Sequence, residues 1–173
     1  LCIAKIIEPI GNNDYKPSVA RWNMATGEIN PMPYEYPDLK KVRFIYAASA
    51  EHQLYVQCYT QYDLMTICDF NGNLKCNIYG PKWVNEKTQT QHYSLGVEFC
   101  GDKILALYSG GDHRTDAYYP TKFLVFDLNG NYLKTLETGY MITDFCYDKE
   151  NNRLIINLND EIQFAYLDLE GII

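Results

Sequence analysis

Phe123-Leu-Val-Phe-Asp-Leu-Asn-Gly-Asn-Tyr-Leu-Lys134 decides the fold of this 173-residue chain. It reads as a strand, a two-residue turn at Asn129-Gly130 and the opening of a second strand. Asn-Gly supplies the positive φ that both central positions of a type I′ hairpin turn require. The phrase recurs. Ile67-Cys-Asp-Phe-Asn-Gly-Asn-Leu-Lys75 matches it closely, Tyr166-Leu-Asp-Leu-Glu-Gly171 repeats its first half, and Arg21-Trp-Asn-Met-Ala-Thr-Gly-Glu-Ile29 is a looser copy with one extra residue before the glycine. A supersecondary unit recurring along a chain marks a repeat protein.

Working outward, a second run aligns at Leu54-Tyr-Val56, Ile104-Leu-Ala106 and Leu154-Ile-Ile156, fifty residues apart, with Cys2-Ile-Ala4 about one step earlier. A further run precedes each of the last three: Val42-Arg-Phe-Ile-Tyr-Ala47, Leu95-Gly-Val-Glu-Phe-Cys100 and Ile142-Thr-Asp-Phe-Cys-Tyr147. Phe99-Cys100 with Asp102 and Phe145-Cys146 with Asp148 extend the repetition beyond the hairpin. Each unit therefore has four strand positions: an inner strand A, a strand B, and the hairpin arms C and D. Runs such as Ile104-Leu-Ala-Leu-Tyr108 are apolar almost continuously, which suits sheets covered on both faces. Four-stranded units of this length stacked around an axis are β-propeller blades.

The expected fold is thus all-β, a single propeller domain over residues 1–173 with blade boundaries near 41, 93 and 141. Counting gives B-C-D, two full A-B-C-D units and A-B-C with the opening of D at Gly171-Ile172-Ile173, about three and a half blades. Propellers close with four to eight blades. The expectation is an arc completed by N-terminal blades or by self-association, with a closed four-blade ring as the alternative.

Bulk composition agrees with a folded domain: 47% hydrophobic and 21% charged residues exclude disorder as the main state. Sixteen tyrosines suit both half-buried sheet surfaces and binding faces. A formal net charge of −7 with no Lys/Arg cluster argues against a nucleic-acid partner. No run of about 18 apolar residues is present, so no transmembrane segment is expected. The chain opens on Leu1-Cys2-Ile3 without an initiator Met, as a chain does when a leader has been removed or when it is part of something longer. The six cysteines (2, 58, 68, 76, 100, 146) form no C-x-x-C pair and mostly fall in apolar strands, where a free thiol behaves as a small hydrophobe; a disulfide between neighbouring strands is the other reading.

Lys103-Ile-Leu-Ala-Leu-Tyr-Ser-Gly-Gly111, followed by Leu124-Val-Phe-Asp-Leu-Asn-Gly130, resembles the TolB-like six-bladed β-propeller domains of envelope lipoproteins in gut bacteria. The resemblance runs from about residue 40 to the end, and its blade pattern reaches the first residues. Its motifs are structural. It implies an exported module of the cell envelope that binds or scaffolds, and it departs from the family in length, since six blades of this size need about twice the chain.

In blade topology the A–B and C–D links share one face and are short, whereas the B–C and D–A links share the other and are long. Long polar loops on a rigid scaffold are where binding residues gather. Three such stretches stand out: Glu8–Pro17, Gly80–His92 and Gly110–Pro120. The richest candidate ligand-binding set is Asp112, His113, Arg114, Asp116, Tyr118 and Tyr119, where a guanidinium can grip a carboxylate and tyrosines can stack on a sugar or peptide. The competing reading is a solvated loop whose Asp and Arg pair locally. Asn13, Asp14 and Tyr15 are the candidates in the first stretch. Trp83, with Lys82 and His92, is either a ligand contact or a wedge between blades.

Catalytic and metal signals are weak. Asp69-x-Asn71-x-Asn73 and Asp127-x-Asn129-x-Asn131 imitate the opening of a calcium loop, but the glycine falls at the fourth position and no bidentate Glu follows. No cofactor, metal or catalytic set is assigned. The reading is a non-enzymatic binding or interaction module for a protein or carbohydrate ligand. Two alternatives are a purely architectural domain and a metal-dependent sugar-lactone or glycoside hydrolase using Glu98 and Asp144 on strand A beside the channel.

Overall fold

The computed structural model describes residues 2–12, 14–36, 39 and 42–173. Four antiparallel sheets follow one another along the chain. The first holds β1 (Cys2–Gly11), β2 (Asp14–Trp22) and β3 (Ile29–Pro31); the second holds β4 (Phe44–Ser49), β5 (Leu54–Tyr59), β6 (Leu64–Asp69) and β7 (Leu74–Tyr79). The third holds β8 (Thr90–Cys100), β9 (Lys103–Asp112), β10 (Lys122–Asp127) and β11 (Tyr132–Glu137); the fourth holds β12 (Ile142–Asp148), β13 (Arg153–Leu158) and β14 (Phe164–Asp168). The described residues contain no α-helix, only one 3-10 turn at Asp116–Tyr118. In blade terms the order is B-C-D, A-B-C-D, A-B-C-D, A-B-C: an all-β arc of propeller blades.

The hairpins that define the repeat differ in detail from a type I′ turn. Asp69 accepts from the Gly72 N–H (2.9 Å) and donates its own N–H to Asn73 O (3.0 Å), so three residues form the loop. Gly72 alone takes positive φ (+83°), and the ladder bulges between Ile67 and Cys68. Asp127, Gly130 (φ +86°) and Asn131 repeat the arrangement, with the bulge between Val125 and Phe126. This is a type I turn closed by a left-handed glycine. It also explains the flanking residues. Asp69 Oδ1 accepts the N–H groups of Asn71 (2.8 Å) and Asn73 (2.9 Å), and Oδ2 accepts Asn73 Nδ2 (2.8 Å). Asp127 does the same for Asn129 and Asn131. Bonds from Asn73 and Asn131 hold both carboxyl groups below the usual carboxylate range.

These aspartates fix the repeat register. Leu54, Lys103 and Arg153 lie opposite Asp69, Asp127 and Asp168, so the steps are 49 and 50 residues, not fifty each. Strand pleating then sends alternate residues to opposite blade faces. Tyr55, Ile104 and Leu154 face the preceding blade, and Val56 and Leu105 the following one. Three apolar seams result: Ile3, Val19 and Met32 against Tyr55, Tyr59 and Leu64; Val56, Met65 and Ile67 against Ile104, Ala106 and Phe126; Leu105, Phe123 and Val125 against Phe145, Leu154 and Ile156. Full burial of such a side chain contributes about 1.5–3 kcal/mol, so the seams hold the blades together.

At the end of the arc the pattern continues without a covering blade. Phe164 and Tyr166 occupy the register positions of Phe123 and Val125, and of Met65 and Ile67; those four are 0% exposed, whereas Phe164 and Tyr166 are each 67% exposed. All six cysteines are free thiols, and Cys58, Cys68 and Cys100 are buried in the seams.

Candidate functional site

One of the long polar stretches, Glu8–Pro17, is largely strand, and Gly110–Pro120 begins as one. The ladder of β1 and β2 runs out through Glu8↔Lys16 and Pro9↔Tyr15, so only the tip near Gly11 and Asp14 turns. Asp14 and Tyr15 therefore open β2, while Asn13 lies outside the described residues. Likewise β9 continues through Asp112, pairing Gly111 with Gln91 and Asp112 with Thr90. The periodic apolar run stops at Tyr108, which is why the sequence signals a loop too early.

Beyond Asp112 the candidate residues satisfy one another. The Arg114 backbone N–H (2.9 Å) and Nε (3.1 Å) donate to Asp112 Oδ1, and Nη2 donates to Oδ2 (2.7 Å). Arg114 holds the Asp112 carboxyl well below the usual range. His113 is tied through Nδ1 to the Gln89 carbonyl (2.9 Å). Tyr118 and Tyr119 lie against each other at 4.2 Å, and the Tyr119 N–H closes the 3-10 turn on Asp116 O (3.1 Å). The forked donor that would grip an acidic ligand is occupied by Asp112.

The link after β7 is anchored from below. Asp63, 1% exposed, accepts the Lys82 N–H through Oδ2 (2.9 Å), and its carbonyl accepts the Gly80 N–H (2.8 Å). His92, also 1% exposed, lies 3.3 Å from Tyr108 Oη and 3.7 Å from Asp63 Oδ1; burial lowers its pKa. Trp83 stands above this anchor, with ring centroids 5.0 Å from Tyr79, 6.0 Å from Tyr36 and 6.3 Å from Tyr62.

Between the first two blades, on the long-connection side, lies a cavity of about 410 Å³. Val19 and Met32 of the first blade and Phe44 and Tyr59 of the second form its apolar walls, with Tyr15, Tyr34 and Tyr36 around them. Phe44 and Tyr59 meet edge to face (6.2 Å, 62°). The tyrosine hydroxyls on the wall are engaged elsewhere: Asn77 Nδ2 donates to Tyr34 (2.9 Å), Tyr36 pairs with Tyr79 (3.1 Å), and Arg43 Nε donates to Tyr15 (2.8 Å). Lys16 and Glu35 neutralise each other at the rim (2.8 Å).

One lining residue breaks the pattern. Gln57 in the middle of β5 is 6% exposed and lines the cavity, placing a polar amide on an otherwise apolar and aromatic wall of the second blade. A primary amide carries two donors and an acceptor and can bond a polar group that enters the cavity. Of the sequence candidates, Asp14 and Tyr15 reach this cavity and Trp83 touches its wall through Tyr36; residues 112–119 do not. Sequence reading passed over Gln57, Phe44, Tyr59 and Tyr34. The available signal was Leu54-Tyr-Val-Gln-Cys-Tyr59, a central strand with one polar residue.

On the inner strands, Glu98 Oε2 accepts the Tyr147 N–H across blades (2.8 Å), and burial raises its carboxyl pKa. Asp144 Oδ1 accepts the Phe145 N–H (2.8 Å). Among the described residues no group of three or more His, Cys, Asp or Glu is placed to hold a metal ion, and no helix is long and apolar enough to cross a membrane.

No protein-family model matches the chain. No curated protein matches it either. Solved structures do. A protein of unknown function from Bacteroides caccae aligns with 87% of this chain and 50% of its own, at TM-score 0.54 and 16% identity. Hydrazine synthase of Kuenenia stuttgartiensis aligns over 89% of this chain and 40% of its own (TM-score 0.61, 13% identity), and a chain of the nidogen/laminin complex over 88% and 52% (0.59, 12%). The chain spans about half the length or less of these structures. The likeness is one of fold, that of propeller-like proteins.

Proposed function

We propose that this chain is a non-enzymatic binding module that takes its ligand in the cavity between its first two blades. The carrying observation is the aromatic chamber of about 410 Å³ with the Gln57 side chain on its wall. Concave, largely apolar chambers with few polar groups are the usual form of a small-ligand site. The walls come from Met32, Tyr34 and Tyr36 after β3 and from strands β2, β4 and β5, so the ligand meets both a connection and the rigid sheet. Assignment to the TolB-like six-bladed type, and to an exported lipoprotein of the bacterial envelope, rests on the sequence resemblance and is part of this proposal.

p-Cresol serves as a neutral apolar probe of the chamber, observed by saturation-transfer NMR. Transfer is expected with the native chain and is lost in Val19→Phe, which fills the cavity, once circular dichroism shows that variant folded. It persists when Arg114, Tyr118 and Tyr119 are all replaced by Ala. Transfer that survives Val19→Phe and vanishes in the triple variant would move the site to the 112–119 loop.

A further inference from the structure

We infer that Asp63 and His92 form an acid-sensitive latch: proton uptake at His92 releases the link that begins at Gly80 and carries Trp83. Both residues are buried, each 1% exposed, and the link is tied down onto Asp63. The Gly80 N–H donates to the Asp63 carbonyl (2.8 Å), the Lys82 N–H to Asp63 Oδ2 (2.9 Å), and the Trp83 N–H to Gly80 O (3.0 Å). His92 is itself fixed by its backbone N–H on Thr60 O (2.8 Å). The groups facing its ring are Asp63 ahead of β6, Tyr108 on β9 and Lys82 on the link. Tyr93, next along β8, meets Tyr108 edge to face at 5.2 Å.

The closed arrangement accommodates a neutral imidazole and not an imidazolium. Nδ1 meets the Tyr108 hydroxyl at 3.3 Å, while Nε2 has no hydrogen-bond partner among the described residues. The cation needs acceptors for two N–H groups. The carboxylate beside it, Asp63, lies 3.7 Å from Nδ1 through Oδ1, beyond hydrogen-bond length. Lys82, whose ammonium bonds Gly110 O (3.3 Å), adds a like charge. Asp63 is not free to swing across: Oδ2 holds the Lys82 N–H, and the carboxylate packs on Gly80, where a Cβ would stand 2.2 Å from it. Imidazolium is therefore satisfied by Asp63 turning, which frees the Lys82 N–H, or by water, which requires the link to lift. Both routes open the same link. Burial accordingly holds the His92 pKa below its ordinary value of about 6.5. With the link open His92 titrates near that ordinary value, so between the two values opening takes up a proton, and each pH unit of fall favours opening by up to about tenfold. Above about pH 6.5 the ring is neutral in both states and the link stays shut.

The test is backbone amide exchange of the full 173-residue chain, read residue by residue by NMR and corrected for the intrinsic pH dependence of exchange. From about pH 7 to about pH 5 the protection of the Lys82 and Trp83 amides should fall by at least about fivefold. Over the same range the amide of Ile67, fully buried in the middle of β6, should hold its protection within about twofold. His92→Asn, which keeps an acceptor near the Tyr108 hydroxyl and removes the titrating ring, should abolish the fall at Lys82 and Trp83. Should that variant not fold, the NMR titration of the native His92 ring decides in its place: a midpoint below about 6.5 is expected, and one at or above it overturns the latch. Unchanged protection at Lys82 and Trp83 overturns it as well. So does an equal loss at Ile67, which would be global unfolding, and so does a fall that persists in His92→Asn.

Discussion

Phe123→Ala is expected to destabilise the fold by about 3–5 kcal/mol, which for a chain of this size lowers the melting temperature by on the order of 10 °C. Phe123 is 0% exposed, sits in the seam between the third and fourth blades, and meets Phe145 edge to face at 5.0 Å. Truncation removes a ring's worth of transfer free energy and leaves a cavity that two rigid sheets cannot close. The same substitution one repeat later provides an internal control. Phe164 holds the equivalent position on β14 but is 67% exposed, so Phe164→Ala should change stability by no more than about 0.5 kcal/mol. Chemical denaturation of both variants reads the difference. Equal losses at the two positions would mean that the end face is covered as the internal faces are, contrary to the arc described above.

The second large effect is expected at Gly80. A Cβ there would lie 2.2 Å from Cγ and both carboxylate oxygens of Asp63. That carboxylate is 1% exposed and fixed by the Lys82 N–H, so it has no solvent to move into. Either the backbone of the link shifts, at an overpacking cost of about 1–3 kcal/mol, or Asp63 turns away and leaves a buried N–H unpaired at a similar cost of about 1–3 kcal/mol. Gly80→Ala should therefore lower the free energy of unfolding by about 1–3 kcal/mol. A shift in the urea midpoint corresponding to less than about 0.5 kcal/mol would show that Asp63 is not the anchor of the link.

Legibility in the sequence follows the range of the interactions. The repeated Asp-x-Asn-Gly-Asn is a local device whose bonds span no more than four residues, so the hairpins, the blade count and the strand order can be read from the chain alone. The turn type could not, because Asn-Gly fits both a type I′ turn and the αL glycine of the three-residue loop, and the choice is settled by Asp69 and Asp127 capping from outside the dipeptide. Long-connection faces were legible as a topological consequence. The site was legible only in part. Asp14 and Tyr15 were visible as polar and aromatic residues near a turn, whereas Gln57 gains its meaning from sharing with Tyr55 and Tyr59 the face of β5 that packs toward the first blade, which only the packing of two blades reveals. Arg114 illustrates the opposite case: its residue type advertised ligand binding, and the partner two residues earlier absorbs it.

The saturation-transfer response of p-cresol with the native chain, set beside that with Val19→Phe, is the most direct test of a ligand site between the first two blades. Transfer is expected with the native chain and is expected to disappear when the Val19→Phe ring fills the cavity. No transfer with the native chain, or transfer undiminished in a folded Val19→Phe variant, would overturn the binding role of that cavity.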